Sequence, residues 1–121
     1  MIIGITKETA LHETRIGLTP QTTKQFIDLG FKIKIEQNAG LKSCFRNSEY
    51  TSAGAEIVPT AQEVLKDCDI LFKVNTPEIR EIKLLKNKSF IIGNLRNNHF
   101  KNISTYLKNH NITCFDLNMD Y

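Results

Sequence analysis

No apolar run in this chain approaches the roughly 18 residues that a bilayer-spanning helix needs, which excludes a transmembrane helix. The opening MIIGITKETA also lacks a basic segment leading into a long hydrophobic stretch, so no secretory leader is expected and the chain is expected to be cytoplasmic. Charge of one sign is scarce: 16 Lys and Arg stand against 13 Asp and Glu, a formal net charge of +3 scattered along the sequence. Without a basic stripe or a recognised module, nucleic acid is not an expected partner. Cysteine is sparse too. Cys44, Cys68 and Cys114 are odd in number and share no metal-ligand spacing, so they are expected to be buried or half-buried packing residues in a reducing compartment. The glycines never form Gly-x-Gly-x-x-Gly, and NAGLKS, with one glycine at its turn, is no phosphate cradle. A nucleophile elbow is missing as well.

What is present suits one soluble globular domain: 121 residues, 40% hydrophobic and 24% charged, too few for two independent nucleotide-binding lobes. Ile2, Ile3 and Ile5 make an opening strand, followed by a polar stretch from Thr6 to Leu18. Thr19 is placed to cap a helix, Pro20 suits its first position, and Phe26, Ile27 and Leu29 with Thr22 or Thr23 supply an inward face; Gly30 then ends it in a left-handed conformation. In FKIKIE the alternation of Phe31, Ile33 and Ile35 with charged residues marks a strand with one wet face, near a sheet edge.

Phe45 and Tyr50 anchor a short helical stretch near Ser48 to Ala53, Gly54 breaks it, and AEIV forms a small strand. Thr60 and Glu63 have capping-box spacing for a helix carrying Val64 and Leu65. DILFKV reads as a more buried strand, EIREIKLL as a helix and SFIIG as a strand. A helix with Phe100, Ile103, Tyr106 and Leu107 on one face and the strand NITCFDL complete the chain. About six short strands alternating with helices predict a three-layer α-β-α domain with a mostly parallel sheet, Rossmann-like but without the dinucleotide fingerprint.

In open α/β sheets ligands collect at the carboxyl ends of strands. Three such ends are polar here: Thr6, Lys7 and Glu8 with the following Glu13 and Arg15; Lys73, Asn75 and Thr76; and Asn94 with Arg96. Arg15 can clamp a carboxylate or phosphate by two parallel hydrogen bonds, or pair with Glu13 or Glu8 to pin a long loop. Lys73 can orient an anion or simply be a solvated strand-end lysine. Asn75 can bond a carboxamide or hydroxyl, or form a turn before Pro77, and Arg96 carries the same ambiguity. His12, His99 and His110 read as surface histidines, and no residue here is assigned proton transfer.

Taken together, GITKETALHETRIGLTPQTTKQFIDLGFKIKIEQNAG, then AGAEIV and DILFKVNTP in order, resemble the N-terminal domain of the alanine dehydrogenase and pyridine nucleotide transhydrogenase family. The resemblance covers most of residues 1–118 and loosens after Gly93. It implies a two-lobed full-length protein in which a second lobe, absent from this chain, carries the NAD site and residues 1–121 form a single N-terminal domain that helps to wall the cleft.

Alanine dehydrogenases of the family hold pyruvate with an arginine in Glu-x-Arg-Val and a lysine in Lys-Val-Lys-Glu-Pro, and use a histidine after the next strand. The arginine falls on Arg15, the lysine on Asn75 and the histidine at about Arg96. An amide lacks the charge that holds a keto-acid carboxylate, and arginine is no general acid near neutral pH. The KVN-x-P form instead resembles the alpha subunit of proton-translocating NAD(P) transhydrogenase. That implies NAD(H) and NADP(H) as cofactors of a parent complex, with a hydride passed between them and proton movement coupled through membrane-embedded components. The partners implied are the NAD-binding lobe and those NADP-binding and membrane components, at the cytoplasmic face of the inner membrane. The chain alone is expected to bind neither cofactor strongly and to be inactive. The alternatives are an alanine dehydrogenase-like fragment and a non-catalytic remnant or interaction domain.

Overall fold

β-Branched side chains organise the centre of the sheet. The computed structural model describes residues 1–95 and 98–117, with backbone alone for residues 98–102. Its elements run β1 (Ile2–Ile5), α1 (Pro20–Asp28), β2 (Lys32–Glu36), α2 (Asn47–Ser52), β3 (Glu56–Val58), α3 (Ala61–Asp67), β4 (Ile70–Phe72), α4 (Ile79–Ile82), β5 (Phe90–Gly93), α5 (Asn98–Asn109) and β6 (Thr113–Asp116). Ile3 lies opposite Ile33 and Ile5 opposite Ile35, so four isoleucines share one face with the period of two that a pleated strand imposes. The strand order is β3-β2-β1-β4-β5-β6 and every pairing is parallel. The order reverses between β1 and β4, the usual place for a ligand crevice.

Each face carries its own core. Ile3, Ile5, Ile33 and Ile35 pack with Tyr50 of α2, and Phe26 and Ile27 of α1 close over them. On the opposite face Leu71 and Ile91 meet Leu65 of α3, Ile82 of α4, and Ile103 and Leu107 of α5. The expected three-layer, parallel α/β architecture is therefore the observed one. Gly4 lets α3 approach the sheet closely: a Cβ there would stand 2.7 Å from both Val64 Cγ1 and Cys68 Cβ. FKIKIE takes the place expected of it, one strand in from the edge.

Four local expectations are corrected. Leu29 points outward at 74% exposure, because Gly30 at φ +102° turns the chain so that Phe31 folds back on Phe26 in its place. The Phe31 N–H donates to the Phe26 carbonyl and the Gly30 N–H to that of Ile27, the pattern that closes a helix through a left-handed glycine. β4 stops at Phe72, before Lys73 and Val74, because the Glu8 carboxylate takes the Val74 and Asn75 N–H groups out of the sheet. α4 ends at Ile82, where Leu84 and Leu85 tighten onto the carbonyls of Glu81 and Ile82. Cys44 is exposed, held at φ +66° at the end of a short turn; only Cys68 is buried and Cys114 half-buried.

Candidate functional site

The loops that follow β1 and β4 converge at the carboxyl edge of the sheet, and carboxylates hold them together. Glu8 is buried, and its Oε2 accepts the Val74 N–H at 2.9 Å while Oε1 accepts that of Asn75 at 3.2 Å. Lys73 completes the joint, with Nζ 3.5 Å from Glu8 Oε1, 3.7 Å from Glu81 Oε2 and within hydrogen-bonding reach of the Lys7 carbonyl at 3.4 Å. Lys73 is 4% exposed, which overturns the solvated strand-end reading. Two buried carboxylates thus share one buried ammonium. Burial pushes the Glu8 carboxyl above the usual range, against the opposing pull of Lys73 and the two backbone N–H groups.

A second chain of polar contacts lies nearer the solvent. Glu13 Oε2 accepts both the backbone N–H of Arg15 at 2.8 Å and its Nε at 2.9 Å, while Oε1 accepts Arg15 Nη2 at 2.9 Å. Oε1 also takes the Asn75 Nδ2 at 2.8 Å. The guanidinium grip, followed by the other hydrogen bonds, lowers the Glu13 pKa to about 2 against the cost of burial. Of the two partners considered for Arg15, Glu13 is the observed one and Glu8 is spent on Lys73. The result is one continuous chain, Arg15 to Glu13 to Asn75, with Asn75 also bonded through its backbone to Glu8.

Beside this chain opens a cavity of about 350 Å³ whose lining includes Lys7, Glu8, Glu13, Arg15, Asn38 and Lys42. The third polar strand end is joined to the second: Thr76 Oγ1 donates to the Asn94 carbonyl, and the Asn94 N–H to that of Val74. Gly93 permits this approach, since a Cβ on it would come 2.2 Å from the Lys73 carbonyl oxygen. Arg96 lies outside the described residues, as does the side chain of His99. His12 is exposed, and His110 is half-buried and stacks on Tyr106 at 3.9 Å between ring centres. Among the described residues no group of three or more His, Cys, Asp or Glu is arranged to hold a metal, and no helix is long and apolar enough to cross a membrane. Glu81 escaped the sequence reading. Its signal was its place three residues after Glu78, where its Oε1 accepts the Glu78 N–H and leaves Oε2 for Lys73.

The profile of the family described as "Alanine dehydrogenase/PNT, N-terminal domain" matches residues 4–119. The chain belongs to that family. Within the alanine dehydrogenase/PNT family its relatives fall on both branches. It is 41% identical over 86 residues to an alanine dehydrogenase of Methanococcus maripaludis, which covers 71% of this chain and 23% of that protein. It is 36% identical over 93 residues to the NAD(P) transhydrogenase subunit alpha of Haemophilus influenzae, with 77% and 18% covered. The fold superposes on a transhydrogenase from Sinorhizobium meliloti with a TM-score of 0.87 at 28% identity, over 96% of this chain and 33% of that one. The chain therefore spans about a fifth of the length of the curated relatives it matches.

Proposed function

We propose that this chain is the N-terminal lobe of an NAD(P) transhydrogenase alpha subunit, walling the cleft in which a hydride passes between NAD(H) and NADP(H) while membrane components move protons. The observation that carries this reading is the Asn75 amide bonded to Glu13, which in turn holds Arg15. A keto-acid carboxylate needs cationic partners; here position 75 offers an amide, and Arg15 is engaged at both Nε and Nη2 by Glu13. To hold such an anion, Arg15 would have to exchange two charge-assisted hydrogen bonds for two others, with Glu13 left as a like charge beside the ligand.

The residues present fit one end of the cofactor. Half-buried amide, hydroxyl and backbone groups at the strand ends suit the carboxamide of the nicotinamide head, which is neutral in both redox states, while the pyrophosphate asks for backbone N–H groups of a glycine-rich turn on another lobe. When bound, NADH would supply the hydride and NADP+ on the partner component would accept it. The chain's own contribution is position: the Glu8–Lys73–Glu81 joint fixes the loops after β1 and β4, and Glu13 and Asn75 set the polar edge that the ring meets. No proton transfer is asked of this lobe.

Co-expression with a nucleotide-binding lobe and the NADP-binding and membrane components of a transhydrogenase tests the reading. Hydride exchange between the two nicotinamide pools is expected; a folded, fully assembled complex without exchange defeats it. The 41% identity to the Methanococcus enzyme favours a second reading, an alanine dehydrogenase-like lobe. It requires alanine-dependent NADH formation by the same assembly, and fails if NAD binds without it.

A further inference from the structure

Thr6 follows β1 with a side chain that nothing holds. Ile3 and Ile5 face the core beneath α1, so Gly4 and Thr6 face α3, where Gly4 lies against Val64 and Cys68. Thr6 is 1% exposed, and its hydroxyl has no hydrogen-bond partner among the described residues. A buried hydroxyl left in that state costs free energy and calls for a reason. On the same face opens a cavity of about 190 Å³ whose lining includes Thr6, Glu36, Ala61, Arg80 and Glu81. Two of its carboxylate oxygens also lack a good donor. Glu81 Oε2 stands 3.7 Å from Lys73 Nζ, and Glu36 Oε2 has the Lys7 ammonium at 3.8 Å, both beyond hydrogen-bonding reach. The cations at the mouth stand toward solvent: the Lys7 and Arg80 side chains are 45% and 71% exposed, and Arg80 Nε donates to Glu78 at 2.7 Å. An apolar trough of about 340 Å³ adjoins the cavity at Ala61, Arg80 and Glu81 and continues along Leu65 and Leu84.

We propose that this cavity, between the end of β1 and helices α3 and α4, binds a primary alkylammonium group, with the aliphatic stem in the trough and the head at Thr6, Glu36 and Glu81. A primary ammonium brings three N–H donors and no acceptor. The inner wall offers matching oxygens: the Thr6 hydroxyl, Glu36 Oε2 and Glu81 Oε2. The carboxylates supply the opposite charge, and the hydroxyl gains the partner it lacks. A quaternary ammonium carries the same charge with no donor, and an alcohol carries one donor and no charge, so neither satisfies the wall. A carboxylate or phosphate meets two groups of its own sign. The incoming head takes the place of Lys7 on Glu36, a contact that at 3.8 Å and 45% exposure is weak. The head and stem are common to a lysine side chain of a partner protein and to a free aliphatic amine. The site uses neither Arg15 nor Asn75, and it stands or falls independently of the transhydrogenase reading.

n-Butylammonium, n-butyltrimethylammonium and n-butanol share a stem and differ in the head. Each is titrated at about pH 7, where the amine is charged, into the 15N-labelled chain while the backbone amides of Thr6, Glu36, Ala61 and Glu81 are followed by NMR. n-Butylammonium is expected to move these signals with a Kd in roughly the millimolar range, and the other two to bind about tenfold or more weakly. Thr6→Val removes the hydroxyl and keeps the shape, and is expected to weaken n-butylammonium by about threefold to tenfold; Glu36→Gln is expected to weaken it by about tenfold. Equal binding of the three probes overturns the proposal. So does undiminished n-butylammonium binding in either variant with its folded spectrum intact, or no movement of these signals at roughly tens of millimolar. Nα-acetyl-lysine methylamide separates the two sources. Binding at least as tight as that of n-butylammonium assigns the site to a lysine side chain of a partner protein, and weaker binding assigns it to a free aliphatic amine.

Discussion

Replacing Lys73 by methionine removes the ammonium but keeps most of the side-chain volume, and leaves Glu8 and Glu81 facing each other in the joint. At 3.5 and 3.7 Å, each contact has a gross attraction of about 5 kcal/mol at an effective dielectric near 20, most of which offsets the desolvation of the three groups. Removing one member of a buried pair typically costs about 3–5 kcal/mol, because an uncompensated charge stays behind. Glu8 limits that cost. Burial already holds its pKa above the ordinary 4.5, and without Lys73 it rises further, so Glu8 can take up a proton and become neutral. A carboxyl raised on folding contributes stability that is present in full below its unfolded pKa and is lost as pH climbs through its folded value. The deficit of Lys73→Met is therefore largest at pH 8, about 3 kcal/mol, and smallest at pH 5, about 1 kcal/mol, against a total of roughly 5–15 kcal/mol for a domain of this size. Urea unfolding at both pH values measures it. Lys86→Met is the control: its 2.9 Å pair with Asp69 is shorter but open to water, so its loss is expected to stay within about 0.5 kcal/mol. A Lys73→Met deficit no larger than that of the control at both pH values, or one larger at pH 5 than at pH 8, refutes the buried-joint reasoning.

Gly93→Ala places a Cβ 2.2 Å from the Lys73 carbonyl, which sits on backbone that Glu8 holds in place; a loss of about 2–3 kcal/mol in urea unfolding is expected, and a near-neutral result would mean the strand ends can part without cost. Glu13, with its pKa lowered to about 2, contributes stability present above about 4.5 and lost as pH falls toward 2. Because the Arg15 side of the pair is open to solvent, on the order of 1 kcal/mol is expected to separate wild type from Glu13→Gln at pH 6 and to fade by about pH 2, whereas a pH-independent gap would assign the effect to packing. Thiol labelling of the native chain should modify exposed Cys44 first and spare Cys68, which is buried with its pKa pushed up to about 12; equal rates would place Cys68 at the surface.

The parts of the fold that declare themselves locally were legible. FKIKIE alternates with the period of a strand, Thr19 and Pro20 start α1, Gly30 ends it, and Thr60 starts α3, because each signal lies within a few residues of what it controls. Leu29 misled because helical periodicity was carried one position too far, past the point where Gly30 redirects the chain and gives the inward place to Phe31. The site was legible as a set of residues but not as a set of partners. Lys73 follows an apolar strand and reads as solvated; its burial depends on Glu8, some 65 positions away, and on Glu81 from the next helix. No period or cap encodes such contacts. Arg15 and Glu13 are neighbours in sequence, so that pairing was visible, whereas the Asn75 amide on Glu13 required β1 and β4 to be adjacent. Cys44 was grouped with packing residues by composition, and its left-handed turn is what exposes it.

The most direct test supplies this chain to a transhydrogenase assembly whose own N-terminal lobe has been deleted, then measures hydride exchange between NADH and an NADP analogue beside alanine-dependent NADH formation. Restored exchange with no alanine oxidation is the expected result. Alanine oxidation, or a folded and complete assembly that exchanges no hydride, would contradict the assignment of this lobe to transhydrogenation.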